Sequence, residues 1–447
     1  MGRWPLFVGR CPTLLCIALT GQIGGFINID FQMKQILFVV LILSYLQTNA
    51  QEINFHEHIA PIIQKNCSPC HRPNGAGPFN LLTYTDVAKR GEFITKVTQS
   101  RYMPPFPADR KFQHYKNERF LTVGEIAKIR LWVEAGMKEG KKPKNKEQIQ
   151  IEEPLKPDLS LKMTQAYQIQ GDNTEDFRFF NIPTKTTKDE YITGIYFKAN
   201  NKKLVHHSRL MIDTTQAIRG IDGLAETDPA VKLFQTVGLK DEFLFGWVPG
   251  NDVIHFPEGM GRKLNAGSDM ILNMHYAPSP KVDTDQSEFG FFFSSKPTVR
   301  EVKTLTINEN AISNQPFMLK ANEKKTFFAT YQIQKDISLI SVLPHMHLLG
   351  KNFRAFAADT SGEVTNLIKI ENWDFNWQMT YQFKKLLKIT AGSTIIIEAN
   401  YDNTAENQEN MFNPPRDISY GWGTKDEMMN LIFYFVDYKE GDEDIEQ

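Results

Sequence analysis

The stretch LPHMHLLG, residues 343–350, sets two histidines one residue apart among apolar neighbours. Read as a strand, it points His345 and His347 to one face while Met346 points to the other, so two imidazoles reach one shared point. That geometry suits a metal ion; the alternative is a strand whose histidines are hydrogen-bonded in a core or lie on a wet face. Runs of the same texture surround it. EYITGIYFKA (190–199), DMILNMHYA (269–277), FGFFFSS (289–295), TFFATYQI (326–333) and STIIIEANY (393–401) are short, β-branched and aromatic, and broken by Gly, Pro, Asn and Asp. This spacing predicts antiparallel sandwiches from residue 159 onward. Nearly the whole C-terminal two thirds is too long for one sandwich, so a division is expected within SSKPTVREVKTLTINENAISN (294–314).

The chain has 447 residues, 41% hydrophobic and 23% charged, which is a globular composition with length for several cores. Lys and Arg number 51 against 52 Asp and Glu, with no basic stripe, which argues against nucleic acid and against an anionic membrane surface as partners.

Near the start, MKQILFVVLILSYLQTNAQ (33–51) carries one Lys, an apolar run and a small-residue exit, the layout of a secretory signal. Residues 1–50 are therefore expected to be an upstream extension and signal peptide, leaving an exported mature chain, periplasmic or secreted, with no membrane span; an uncleaved anchor is the alternative. Cys11 and Cys16 fall in that segment, so Cys67 and Cys70 remain for one shared task.

Residues 51–140 read as helical and loop-rich. LTVGEIAKIRLWVEAG (121–136) is well marked: Thr122 and Glu125 form a capping box, Ile126, Ile129 and Val133 recur at helical spacing, and Gly136 can close the end. Residues 141–158, rich in Lys, Glu and Pro, read as a linker, 159–305 and 306–438 as two sandwiches, and the acidic 439–447 as a solvated tail.

CSPCH (67–71) is the attachment signature of c-type haem: two thiols for the two vinyl groups, and His71 placed to ligate iron. A redox CxxC with an incidental His is the competing reading. Met103 in RYMPPFPAD (101–109) is the candidate second axial ligand, or else core filler, and the NGAGP loop (74–78) is expected to set a carbonyl against the free ring nitrogen of His71. The segment resembles small cytochrome c domains, in which an N-terminal helix ends in CxxCH and a Met-Pro turn precedes a C-terminal helix. The fold expected for the chain is therefore mixed: a small all-α cytochrome c domain followed by two antiparallel, jelly-roll-like β-sandwich domains.

Three further histidines await partners: His206 and His207 in KLVHHSRLMID (203–213), and His275 in LNMHYAPS. On an ideal strand the adjacent pair would point to opposite faces, so a common metal requires a bulge there. Taken singly, these histidines read more simply as satisfied side chains. In order, however, VHHSRLM, FPEGMGRKLNAGSDMILNMHYAPS, HMHLLGKNF, NWDFNWQ and DEMMN resemble the copper type II ascorbate-dependent monooxygenases. That resemblance assigns His206, His207 and His275 to an electron-donating copper on the first sandwich. It assigns His345, His347 and Met428 to the copper that meets O2 on the second, a thioether favouring Cu(I); Met429 and Met411 are competing sulfurs.

The resemblance implies two copper ions, O2, a small-molecule organic substrate hydroxylated at an aliphatic C–H, and electrons arriving singly; the tethered haem is expected to supply them to the copper at His206, His207 and His275, with ascorbate or a donor protein as the alternative. Departures accompany it. Met429 stands where the family usually has Cys, and Leu343 and Ile432 stand where its peptide-processing members hold a substrate carboxylate with Arg and Tyr, so an apolar pocket is expected. The competing function is an exported haem- and copper-binding electron carrier without hydroxylase activity. Zinc hydrolysis is disfavoured, since Met is a poor zinc ligand and no Glu base stands beside the histidines.

Overall fold

The structure, a computed structural model, describes residues 52–73, 75, 77–142, 156–236, 242–251, 253–296 and 299–447. The expected signal segment and most of the expected 141–158 linker lie outside these residues. Among the described residues no helix is long and apolar enough to cross a membrane.

Strands dominate, and they form two pairs of sheets. In the first pair, one sheet runs in the order Leu159–Lys162, Glu288–Phe293, Glu190–Lys198, Met260–Leu264, Arg300–Glu301, with Val253–His255 beside Glu190–Lys198. It faces a sheet ordered Asp176–Pro183, Asp269–Tyr276, Val205–Asp213, Glu242–Trp247. After Val302 the chain enters the second pair, ordered Lys303–Ile307, Met429–Asp437, Ile337–Met346, Tyr381–Ile389 and Lys324–Gln332, Thr394–Asp402, Gly350–Ala358, Val364–Ile370. Apart from the short parallel contact of Arg300–Glu301, these pairings are antiparallel. The alternation in STIIIEANY is what builds such a layer: Ile395, Ile397, Ala399 and Tyr401 are buried while the residues between them are half-exposed.

The strand Ile337–Met346 is covered on both faces. Leu339, Val342 and Met346 belong to the core of the second sandwich, whereas Ile340 and Leu343 belong to the core of the first, with Leu386, Tyr434 and Val436 beside them. The buried Tyr434 hydroxyl donates to the Leu244 carbonyl at 2.7 Å across that contact.

The expected mixed class is overturned: the described residues are mostly β-sheet with few helices, and among them no free-standing all-α cytochrome domain is present. Residues Asn54–Gln447 form one compact unit. The helices are short, Ala60–Asn66, Tyr84–Ala88, Gly91–Gln99 and Val123–Glu134. The last has the anticipated capping box of Thr122 and Glu125 and buries Ile129 and Trp132. The chain between the third and fourth helices is claimed by the second sandwich. Ala108 bridges Ile370 and Tyr115 bridges Phe383, both are buried in that sandwich's core, and the Tyr115 hydroxyl donates to Leu367 O at 2.8 Å. The helices keep apolar side chains of their own buried, Ile59, Ile94 and Trp132 among them, but the segment between the third and fourth is anchored in the neighbouring core, so they belong to the same compact unit. The acidic C-terminal stretch is likewise fastened: Asp442 is 2% exposed and paired with Arg300.

Candidate metal centres and the cavity between them

The strand Val205–Asp213 is bulged where two adjacent histidines require it. Val205 pairs with Tyr276 and His207 with His275, leaving His206 as the extra residue. The bulge turns both rings inward. His206 Nδ1 lies 3.2 Å from His207 Nδ1, and His275 Nδ1 lies 3.3 Å from the same atom. Among the described residues these three form a group whose ring nitrogens all stand within 4.8 Å of one another.

Three converging imidazole nitrogens either pass a proton between rings or hold a cation among them. Two nitrogens each about 2.0 Å from one ion at a tetrahedral angle stand about 3.3 Å apart, so the spacing fits a shared metal. Burial, followed by the neighbouring His275, lowers the basicity of His206 and His207, which keeps their lone pairs available. The remaining nitrogens are oriented too. Asn376 donates from its side-chain and backbone nitrogens to Asp374 Oδ1, each at 2.9 Å, which turns its Oδ1 to His206 Nε2 at 3.3 Å. His275 stacks flat on Phe177, centroids 4.0 Å apart, with its Nε2 3.3 Å from Glu175 Oε1.

His345 and His347 also share one side, their ring centroids 5.0 Å apart. Each has its Nδ1 engaged: His345 with Gln378 Oε1, and His347 with the Asp426 carbonyl at 3.0 Å. Carbonyl acceptors fix the Nδ1–H tautomer and leave Nε2 as the free donor of an electron pair. Burial depresses His345 to about 4 and His347 to about 3. Met428, 7% exposed, lines the same cavity. Glu427 ties these pieces together, accepting from the backbone N–H groups of His347 at 3.0 Å, Leu349 at 2.6 Å and Met428 at 3.2 Å. Two imidazoles and a soft sulfur fit copper as a donor set. The competing sulfurs are elsewhere: Met429 is in the second core, and Met411 is half exposed.

One cavity of about 120 Å³ touches both sets, being lined by His207 as well as His345, His347 and Met428. Phe375 stands between them, stacked on His206 at 5.5 Å and edge-on to His347 at 5.8 Å. Leu343 and Ile432 face this cavity, but it is not wholly apolar. Arg209, Glu226 and Asn430 line it as well, and burial pushes the Glu226 carboxyl up to about 7 against the pull of Arg209.

Cys67, Cys70, His71 and Met103 line a separate cavity of about 370 Å³. His71 Nδ1 is 3.0 Å from the Phe79 carbonyl, one residue beyond the NGAGP loop expected to provide it. A Cβ on Gly77 would stand 2.5 Å from the His71 ring, so that loop can close over the imidazole only with glycine there. The two thiols are free, and burial raises Cys67 to about 12. An apolar space edged by two thiols, a free imidazole nitrogen and a thioether fits a covalent haem.

Sequence reasoning missed Asp374, Phe375, Asn376, Trp377, Gln378 and Glu427. The stretch NWDFNWQ had drawn notice only as a flanking motif, and nothing in its residue types announces which ring each side chain meets.

Comparison with known proteins adds to this geometry. Residues 300–444 match the family model of the copper type II ascorbate-dependent monooxygenase C-terminal domain. That span holds His345, His347 and Met428. The chain is also 23% identical over 262 residues to a human protein, DBH-like monooxygenase protein 2, covering 53% of this chain and 47% of that one. The chain thus spans about half the length of this curated relative. Among solved structures, the major capsid protein of bacteriophage PM2 overlaps at TM-score 0.26 with 7% identity, covering 60% of this chain and all of that one. An infectious bursal disease virus subviral particle overlaps at 0.17 with 10% identity, covering 62% and 71%. Overlaps this weak carry no argument.

Proposed function

We propose that the protein is an exported copper- and haem-dependent monooxygenase that hydroxylates an aliphatic C–H of a small organic substrate with O2. The observation that carries this reading is one cavity touching both a three-histidine set and a two-histidine, one-methionine set. His206, His207 and His275 would hold the copper that receives electrons, and His345, His347 and Met428 the copper that meets O2. Bound copper would supply one-electron redox chemistry and O2 activation, and a c-type haem held by Cys67, Cys70, His71 and Met103 would supply electrons; ascorbate is the alternative reductant.

The chain's own side chains do the rest. Asn376, Gln378 and the Asp426 carbonyl hold the imidazoles in the tautomers that free Nδ1 on the first set and Nε2 on the second. Phe243, Trp247, Leu343 and Ile432 keep water from the reacting C–H, while Arg209 and Glu226 offer the substrate's polar end a partner.

Metal analysis of the purified protein tests the assignment: two coppers and one covalently bound iron porphyrin per chain are expected. Loss of the covalent haem band in Cys67→Ala/Cys70→Ala is expected as well. O2 uptake by the reduced, copper-loaded protein with candidate substrates then separates a hydroxylase from an electron carrier; absence of copper at either set would refute the proposal.

A further inference from the structure

The segment that meets all three sites is a single loop between the strands Val364–Ile370 and Tyr381–Ile389. Its residues take turns. Trp373 donates from Nε1 to His347 O at 3.1 Å. Phe375 stacks on His206. Asn376 Oδ1 meets His206 Nε2 at 3.3 Å. Trp377 lines the cavity of Cys67, Cys70 and His71, with its buried indole N–H unpartnered. Gln378 reaches His345 Nδ1.

We propose that Trp377 and Asn376 form an electron relay from that cavity to the histidine trio. The inference rests on the haem and copper assignments above. The path is short because the two residues are consecutive: indole, one peptide unit, the Asn376 carboxamide, then the contact to His206 Nε2 and through its ring to Nδ1. In the step, one electron leaves ferrous haem, Fe(II) becoming Fe(III), and reduces Cu(II) to Cu(I); no bond forms or breaks and no proton moves. A second entry to the trio is an open cleft of about 350 Å³ lined by Glu175, His206, His275 and Glu409, through which a small reductant such as ascorbate would act without the loop's indole. The two entrances make the relay testable.

The experiment uses the full-length protein with haem attached and copper loaded. Reduced haem is followed optically as it is oxidised by Cu(II) without O2, and in parallel the trio copper is reduced by added ascorbate, read by loss of its Cu(II) resonance. Trp377→Leu and Asn376→Leu are expected to slow oxidation of the haem by about tenfold or more, the loss that follows when a positioned contact becomes a gap. Reduction by ascorbate is expected to be unchanged in Trp377→Leu, whereas Asn376→Leu, which also releases the His206 ring, is expected to slow it by less than it slows oxidation of the haem. Trp377→Phe, which keeps an aromatic edge, is expected to restore most of the rate. A merely structural role would slow both reactions alike, and that result overturns the relay, as does a wild-type haem rate preserved in both leucine variants. Haem that is attached but never oxidised by copper also overturns it while leaving the haem site standing; wild-type protein without covalent haem removes both.

Discussion

Replacing Asp442 by Asn is expected to destabilise the protein by about 3 kcal/mol at neutral pH, and by less in acid. The carboxylate is 2% exposed and accepts from Arg300 at 2.7 and 2.8 Å, from the Ser338 hydroxyl at 2.6 Å and from the Lys439 N–H at 3.0 Å. Burial opposes its ionisation, but Arg300 and Ser338 outweigh it and hold the group down at about 2. An aspartate held at about 2 rather than about 3.9 contributes about 2.6 kcal/mol at neutral pH. Because the folded value is the lower one, this stability is fully present above about pH 4 to 5 and is lost as the pH falls through about 2. Removing one partner of a buried pair costs about 3–5 kcal/mol; Arg300, 19% exposed, recovers some hydration, which sets the lower end. Urea unfolding followed by tryptophan fluorescence, at pH 7 and pH 3, measures both. The gap between wild type and Asp442→Asn is expected to narrow by about 1 kcal/mol at pH 3, as the wild type begins to lose what the variant never had. A gap that is independent of pH, or below about 1 kcal/mol at pH 7, would show that the ion pair behaves as a solvated surface pair.

Three other outcomes are expected. Glu427→Gln removes one of two oxygens that collect three backbone N–H groups, and Cu(I) competition titrations are expected to show affinity at His345, His347 and Met428 reduced about 10- to 100-fold, with the trio unaffected; equal loss at both sets would contradict this. His207→Ala is expected to cut copper content from two to one per chain by elemental analysis while leaving the haem spectrum intact. Tyr115→Phe strands the Leu367 carbonyl and is expected to cost about 1 kcal/mol in the unfolding transition of the second sandwich, which checks that residues between the third and fourth helices belong to that core.

How far the sequence could be read depended on whether a signal was local or assembled at a distance. Alternation in STIIIEANY and the Thr122–Glu125 cap are set by neighbours along the chain, and both appear as expected. The bulge at His206 was legible as a requirement, because two adjacent side chains cannot otherwise share one face. The separate helical domain was not refuted by anything local: its helices exist, but Tyr115 and Ala108 are drawn into another core by partners more than 250 residues away, Leu367 and Ile370. Asp442 misled for the same reason. A run of acidic residues reads as solvated until Arg300, far upstream, is known to stand beside it. Glu427 and Gln378 act through backbone atoms and one ring nitrogen, contacts for which polar side chains leave no pattern in sequence.

The covering of Ile337–Met346 on both faces decides how the two histidine sets can behave. Ile340, Leu343 and Tyr434 are apolar anchors placed by the second sandwich in the core of the first. Burying three such side chains is worth roughly 5–9 kcal/mol, to which the Tyr434–Leu244 hydrogen bond adds. Opening the sandwiches like a hinge to admit a large substrate would expose all of them at once. That cost exceeds what a modest ligand can return, so the cavity shared by His207 and His347 is held at its present width while the protein works. On the proposed reading, a cavity held at that width favours compact substrates or the slender end of longer ones.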